Sequence, residues 1–346
     1  MTYNDLILED ANSLKINYPE LFDQFEHKCI LVTGATGLIG KTLVTIILNN
    51  TKTAKVAALA RNKEKAELFF SGNPHKDRLS FIISDITQPF SSPVPVDYII
   101  HAASETSSKA FITTPVNVIS TTFKGTQNLL EFANANKVES FVYLSTMEIY
   151  GAPKTDEQIN ESHGTNLIST EVRTCYPESK RLCETLCAAY TSEYGVPAKI
   201  LRLTQTFGPG VAYNDGRVFA EFARCAIEGK NIVLHTKGET KRNYLYTADA
   251  VSAILTVLLK GENGEAYNAA NESTYCSIYE MAKLVAEQIA NNKIKVIIEE
   301  SDISKFGYAP PLKMNLDTAK LKKLGWNPTH SLKEMFEKTI HSMESK

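Results

Sequence analysis

The chain has no pair of cysteines spaced as C-x-x-C, no apolar run long enough to cross a bilayer and no surplus of positive charge. Its six cysteines, at 29, 175, 183, 187, 225 and 276, share no metal-ligand spacing with histidine, so neither a zinc site nor a disulfide framework is expected. Cys183 and Cys187 fall on one helical face, and reduced thiols are expected for all six. No stretch approaches the roughly 20 apolar residues that span the hydrocarbon core. Thirty-seven basic residues face 39 acidic ones, a formal net charge of −2, which gives no electrostatic case for nucleic acid or an anionic membrane. The start, Met1-Thr2-Tyr3-Asn4-Asp5, lacks the basic residues and apolar core of a secretory signal. Internal repeats, low-complexity tracts and long linkers are also absent. A cytoplasmic location is the expectation.

What is present is ordinary for a soluble globular chain: 346 residues, 43% of them hydrophobic and 22% charged. That length accommodates one large α/β domain with an appended lobe, or two closely packed domains. Residues 1–27 read as a helical extension. The run Lys28-Cys29-Ile30-Leu31-Val32-Thr33 is apolar and β-branched and ends at Gly34-Ala35-Thr36-Gly37-Leu38-Ile39-Gly40; helical spacing follows to Asn49. A buried strand, a glycine turn and a helix suit a dinucleotide pyrophosphate. The glycines let the backbone approach the phosphates, and the helix start presents unpaired N–H groups. The spacing is G-x-x-G-x-x-G rather than G-x-G-x-x-G.

A second strand, 55–60, ends in Arg61, where an acidic residue would bind the ribose 2′-hydroxyl of NAD and an arginine can meet the 2′-phosphate of NADP. Arg61 is equally compatible with stacking on the adenine or facing water. The third strand, 79–83, runs into Asp85 and Ile86. Asp85 is placed either for the adenine amino group or to cap a turn. A fourth strand, 97–100, leads to His101-Ala102-Ala103-Ser104, small residues that fit a strand end under a cofactor, with His101 read as a packed turn histidine. A helix over 116–136 and a fifth strand, 140–144, follow, ending at Ser145-Thr146-Met147-Glu148. The alternation predicts a doubly wound parallel sheet of Rossmann type, covered on both faces, with ligands beyond the carboxyl ends of the strands. Residues 28–195 would form this dinucleotide-binding domain, completed by a strand and helix from about 196–206 and 247–260, and 207–346 mainly a smaller substrate-binding lobe.

Tyr176 and Lys180 lie four apart at a predicted helix start, so phenol and ammonium share a face one turn apart. A fixed positive charge lowers a tyrosine pKa from its usual value near 10 and suits it to acid/base work. Two distant segments, 145–148 and 176–180, thus offer hydroxyls, a carboxylate, a phenol and an amine to one place. Glu148 reads as a proton shuttle or as a plain turn carboxylate. Arg217 and Arg242 are candidates for a diphosphate, since a guanidinium binds phosphate oxygens in pairs.

Together, Gly34/Gly37/Gly40, Asp85-Ile86, His101-Ala102-Ala103, Ser145-Thr146, Tyr176/Lys180, Phe207-Gly208-Pro209, Arg242 with Tyr246 and Asp249, and Leu324-Gly325-Trp326-Asn327-Pro328 resemble an extended short-chain dehydrogenase/reductase of the nucleotide-sugar epimerase/dehydratase group. The likeness covers roughly residues 28–340. It implies bound NAD, with NADP open because of Arg61, held by Gly34, Thr36, Gly37, Leu38, Ile39, Gly40, Arg61, Asp85, Ile86, Ala102, Ala103, Ser104, Tyr176 and Lys180. It implies Tyr176 as acid/base, Lys180 as the group that lowers its pKa and holds the nicotinamide ribose, and Thr146 or Ser145 on the sugar hydroxyl. Hydride would leave C4 of the sugar and return there or be delivered elsewhere, the new ketone easing change at C5. Gln205, Arg217, His235 and Arg242 would bind the substrate, a nucleotide-diphosphate sugar. No metal is implied. A homodimer through a four-helix bundle of the helices near 116–136 and 177–194 is.

The segment Arg173 to Leu186 and Asn214-Asp215-Gly216-Arg217-Val218 are most similar to the UDP-glucuronate decarboxylases. Met147 departs from that group's serine and from the acidic residue of the 4,6-dehydratases, whose chemistry needs an acid to expel the C6 hydroxyl. Thr122 and Gln205 each replace an asparagine usual in the family, Gly210 an arginine and His235 a tyrosine. The expectation is a UDP-glucuronate decarboxylase-like enzyme, with a 4-epimerase, a 4,6-dehydratase or an NADPH-dependent ketoreductase as alternatives. A non-catalytic protein on the same fold would have no need of Tyr176, Lys180 and the Ser/Thr pair together.

Overall fold

In a computed structural model, residues 2–300 and 311–345 are described. The apolar, β-branched runs become β1 (Cys29–Thr33), β2 (Lys55–Ala60), β3 (Leu79–Ile83), β4 (Tyr98–His101) and β5 (Ser140–Thr146). They join β7 (Ala198–Leu203) and β11 (Ala266–Ala269); β6 (Gln158–Ile159) precedes β7 in the chain, and β8 (Gln205–Phe207), β9 (Ile232–Leu234) and β10 (Lys241–Tyr246) come between β7 and β11. The sheet order is β11-β7-β5-β4-β1-β2-β3, and every pairing is parallel. Parallel strands need both faces covered. Along β1, Ile30 and Val32 enter one core while Cys29 and Leu31 enter the other.

The helices are α1 (Tyr3–Asn17), α2 (Pro19–Asp23), α3 (Leu38–Asn50), α4 (Lys63–Phe70), α5 (Ala110–Thr113), α6 (Pro115–Asn136), α7 (Cys175–Tyr194), α8 (Val218–Glu228), α9 (Thr247–Lys260), α10 (Ile278–Leu284), α11 (Ala319–Lys322) and α12 (Leu332–Glu344). Helices α3 and α9 cover one face of the sheet and α6 and α7 the other. The direction of sheet growth reverses between β1 and β4, the switch point at which such sheets bind ligands. A smaller sheet joins β12 (Asn271–Ser277), β10, β14 (Lys313–Leu316) and β6, with β8 beside β10; β13 (Val296–Ile298) pairs with β9.

One detail differs from expectation. The large sheet takes its seventh strand from Ala266–Ala269, inside the span assigned mainly to the lobe. Asp249 sits in the first turn of α9, whose N-cap is Tyr246, and does not cap that helix. Its carboxylate instead accepts hydrogen bonds from Thr329 N, Thr329 Oγ1 and His330 N at 2.8–3.1 Å, fastening the C-terminal segment. The N-terminal extension is helical, and α1 packs on α3 and α12. Its buried Asp10 accepts from Tyr246 and Lys338, each at 2.7 Å. Among the described residues no helix is long and apolar enough to cross a membrane.

Candidate active site

The glycine turn is shaped by close backbone approach. Gly34 has φ +66°, and a Cβ there would lie 2.8 Å from the backbone of Ala102 and Ala103. A Cβ on Gly40 would lie 2.2 Å from the Gly34 carbonyl oxygen. These two glycines therefore let the turn fold against the β4 end, and Gly37 N-caps α3 with no side chain. Thr36, Leu38 and Ile39 complete the turn and first helical residues, leaving N–H groups of the α3 start for an anion.

Beneath the turn, Thr33 Oγ1 accepts from Ala103 N at 3.1 Å and lies 2.9 Å from His101 Nδ1, while His101 Nε2 lies 3.1 Å from Thr126 Oγ1. Thr126 gives its own proton to Thr122 O at 2.8 Å, so the network assigns the imidazole proton to Nε2. Burial, and then the Lys180 charge, push the His101 pKa down to about 3. His101 is a neutral, packed strut. Ala102, Ala103 and Ser104 follow it, half-buried, at the strand end.

Arg61 is exposed at the end of β2. Asp85 accepts from Thr87 N and Thr87 Oγ1, and these bonds, more than the Arg61 charge, hold its carboxyl below the usual range. Ile86 packs against Gly125, and its carbonyl accepts from Asn128 Nδ2 at 2.8 Å.

The chemistry gathers around Tyr176. Helix α7 begins at Cys175, and this places Tyr176 and Lys180 on its buried face. The Thr146 hydroxyl neighbours the Tyr176 phenol, whose pKa it lowers, and accepts from Glu148 N at 3.2 Å. Lys180 Nζ donates to Leu144 O at 2.7 Å and lies 6.0 Å from the centre of the Tyr176 ring. Burial pushes Lys180 down to about 8. Tyr176 does not have the lowered pKa expected from its lysine. Burial raises it, Glu148 adds to that, and the Thr146 hydroxyl and Arg173 only partly oppose. Glu148 in turn accepts from Arg173 Nη2 at 3.1 Å. Phe111, which no motif flagged, stacks on the Tyr176 ring.

Ser145 parts from this cluster. Successive strand residues face opposite sides, and Ser145 Oγ donates to Glu184 Oε1 at 2.5 Å. Of the hydroxyl pair, only Thr146 meets Tyr176.

Among the four substrate candidates, Gln205 opens β8 opposite Tyr244 of β10, and His235 follows β9, half-buried. Arg217 already grips Asp215 through Nε and Nη2 at 2.6–3.2 Å. Arg242 Nε is buried with no hydrogen-bond partner among the described residues, the state of a group that waits for an acceptor. The departing residue, Met147, is 6% exposed, and its sulfur accepts from Thr204 Oγ1 at 3.2 Å. Among the described residues no three His, Cys, Asp or Glu side chains converge to hold a metal.

A glycine turn under a switch point and a Thr–Tyr–Lys cluster beside it can be set against known proteins. Residues 30–270 match the model of the NAD dependent epimerase/dehydratase family. The chain belongs to this family. It is 30% identical to UDP-glucuronic acid decarboxylase 1 of Xenopus tropicalis over 96% of this chain and 76% of that protein. It is 32% identical to UDP-glucuronic acid decarboxylase 6 of Arabidopsis thaliana, over 88% and 85%. In fold it resembles UDP-glucose 4-epimerase from Thermotoga maritima solved with UDP-glucose, at a TM-score of 0.77 and 24% identity over 91% of this chain and 98% of that one. UDP-glucuronic acid 4-epimerase from Bacillus cereus, solved with NAD, superposes at 0.76 with 22% identity over 92% and 100%. The protein is an NAD-dependent enzyme of this family. Its residues fit that cofactor: Cβ atoms at Gly34 and Gly40 would meet backbone, and the α3 start supplies the N–H groups.

Proposed function

We propose that the enzyme acts on a nucleotide-diphosphate sugar by oxidising its C4 hydroxyl, and that a UDP-glucuronate-like substrate then loses its C5 carboxylate as CO2. The carrying observation is that the Thr146 hydroxyl and the Tyr176 phenol are neighbours at the carboxyl ends of the strands, with Lys180 one helical turn from Tyr176 and anchored to Leu144 O. Bound NAD supplies the hydride acceptor and donor. Thr146 Oγ1 holds the sugar hydroxyl against the phenol. Tyr176 takes its proton, and the Lys180 ammonium stabilises the phenolate that makes this possible. Once C4 is a ketone, the electrons of the breaking C5–carboxylate bond pass into an enolate, and a proton returns to C5. Glu148, aimed by Arg173, stands as the shuttle for that proton. Arg242 is the better diphosphate ligand of the two arginines, because Arg217 is committed to Asp215.

The relatives named as decarboxylases support this branch. Met147 weighs against a 4,6-dehydratase, since a thioether cannot protonate a leaving hydroxyl. A 4-epimerase, which needs no such acid, is the second reading. Helices α6 and α7 leave Val116, Ile119 and Leu182 exposed, which supports pairing with a second copy as a four-helix bundle. Six free thiols suit a reducing compartment such as the cytoplasm.

Incubation with UDP-, dTDP-, GDP- and CDP-sugars, followed by mass measurement, tests the proposal. Loss of CO2 is the expected result with UDP-glucuronate. Loss of water indicates a dehydratase, and unchanged mass with new NMR couplings an epimerase. Stoichiometric consumption of NADPH would replace the proposal with a ketoreductase.

A further inference from the structure

Glu184 lies one turn beyond Lys180 on α7, on the same buried face, inside the segment Arg173 to Leu186, where the sequence assigned it no role. Arg202 of β7 grips its carboxylate with Nε at 3.1 and 3.2 Å and Nη2 at 2.7 Å. The other carboxylate bond comes from Ser145 Oγ, the residue before Thr146. Arg202 Nη1 reaches the Tyr150 hydroxyl and the Glu161 carbonyl, both at 2.8 Å, and Tyr150 donates to Asn268 Oδ1 at 2.7 Å.

The ion pair therefore clamps one short segment at both ends. Ser145 is held by Glu184, and Tyr150 is held by Arg202. Between them lie Thr146 and Glu148, the two side chains of this segment that face Tyr176. We infer that Glu184, fixed by Arg202, is a positioning residue for the Thr146–Tyr176–Lys180 relay, acting through Ser145 on the strand end and through Lys180 on the helix. This rests on the proposed function.

The electrostatics agree. Lys180 is buried, and Cys183, Glu184 and Cys187 oppose the effect of burial on its charge. Burial raises both of those thiols, which leaves them uncharged at neutral pH. Glu184 is the formal negative charge of the three. The inference also reassigns Ser145: its hydroxyl orients the segment and does not touch sugar.

The test uses full-length protein with its cofactor and the substrate identified above, with Ser145→Ala, Glu184→Gln and the double variant. Ser145→Ala is expected to lower kcat about tenfold with KM within about twofold, the pattern of lost alignment rather than lost binding. Glu184→Gln should lower kcat at least as much and move the alkaline limb of the pH profile down. The double variant should be no worse than Glu184→Gln, because both changes break one path. Wild-type kcat in Glu184→Gln overturns the inference. So does a raised KM confined to Ser145→Ala, which would mean that Ser145 binds the sugar directly.

If Glu184→Gln does not fold, Tyr150→Phe loosens the other end of the clamp and should lower kcat with KM unchanged; unaltered kcat overturns the inference. An NMR titration of the Lys180 ε-carbon, assigned with Lys180→Arg, needs no substrate. Its midpoint should fall in Glu184→Gln, or in Ser145→Ala if only that variant folds, and an unmoved midpoint counts against the inference even where no sugar is turned over. Failure of the proposed function is instead read from wild-type protein that converts no nucleotide sugar.

Discussion

Phe111 lies flat on Tyr176, with ring centroids 4.5 Å apart and planes within 9° of parallel. Its ring also lies 4.8 Å from the Arg173 guanidinium, which holds Glu148, and its carbonyl accepts from Cys175 Sγ at 3.4 Å. One aromatic face thus sets the tilt of the phenol and the seat of the arginine. Phe111→Leu keeps an apolar side chain but loses the flat face. It should cost about 1–2 kcal/mol of stability and lower kcat about tenfold, since small misplacements of a reacting group are expensive. Urea unfolding and steady-state kinetics check both. Unchanged kcat would show that the stack only fills space.

Tyr176→Phe keeps the stack on Phe111 and removes the proton. Turnover should fall by about 10²-fold or more, while bound NAD, read by absorbance after release, stays at the wild-type level. On the proposed mechanism the phenol needs a protonated Lys180, whose pKa burial pushes down to about 8. Lys180 is charged below that value and neutral above it, so kcat should decline as pH rises through about 8. A rate that keeps climbing to pH 10 would mean that Lys180 does not support the phenolate.

Most of the frame was legible in sequence because its requirements are local. Gly34 and Gly40 are dictated by backbone contact, and the turn between β1 and α3 could be read without knowing its neighbours. Tyr176 and Lys180 are joined by helical spacing, which sequence carries. The choice between Ser145 and Thr146 was not legible: alternation separates the two side chains but does not say which one meets Tyr176. Phe111 reaches the site by tertiary packing alone, and Glu184, although one helical turn from Lys180, is tied to the strand end only through Ser145 and Arg202. The edge strand at 266–269 is short and follows a turn at Gly264, so its period was too brief to detect.

His101 gives a stability prediction with a definite sign. Its folded pKa is about 3, below the ordinary 6.5, so between these values the unfolded chain binds the extra proton. Stability should therefore fall as pH drops from about 6.5 toward 3, by up to about 1.4 kcal/mol per pH unit from this one group. His101→Gln keeps a donor and an acceptor but cannot titrate. Its urea midpoint should vary less with pH across the same window. Parallel pH profiles for the two proteins would remove His101 from the account.

Gly40→Ala should separate cofactor loss from general damage. Its Cβ would meet the Gly34 carbonyl oxygen at 2.2 Å, a backbone contact that cannot swing aside. The turn must open, which pulls the α3 N–H groups off the pyrophosphate. Purified Gly40→Ala should carry less than about a tenth of the wild-type NAD, a loss of at least about 1.4 kcal/mol in binding. Full NAD content would mean that the cradle relaxes without cost.

The N-terminal extension supplies a last prediction, because its buried face sets a charge pair beside the apolar stripe of Leu6, Ile7, Ala11 and Leu14. Asp10 is 1% exposed and sits between Lys338 of α12 and Tyr246 of β10, 2.7 Å from each. Lys338→Met leaves that carboxylate buried without its cation, which costs about 3–5 kcal/mol. Adding Asp10→Asn removes the stranded charge, so the double variant should recover a measurable part of the loss although it changes one more residue. The non-additivity is what marks the pair as coupled. Urea midpoints of the two singles and the double provide the cycle. Additive losses would mean that α1 is held by its apolar face alone, and that Asp10 and Lys338 act on α12 independently.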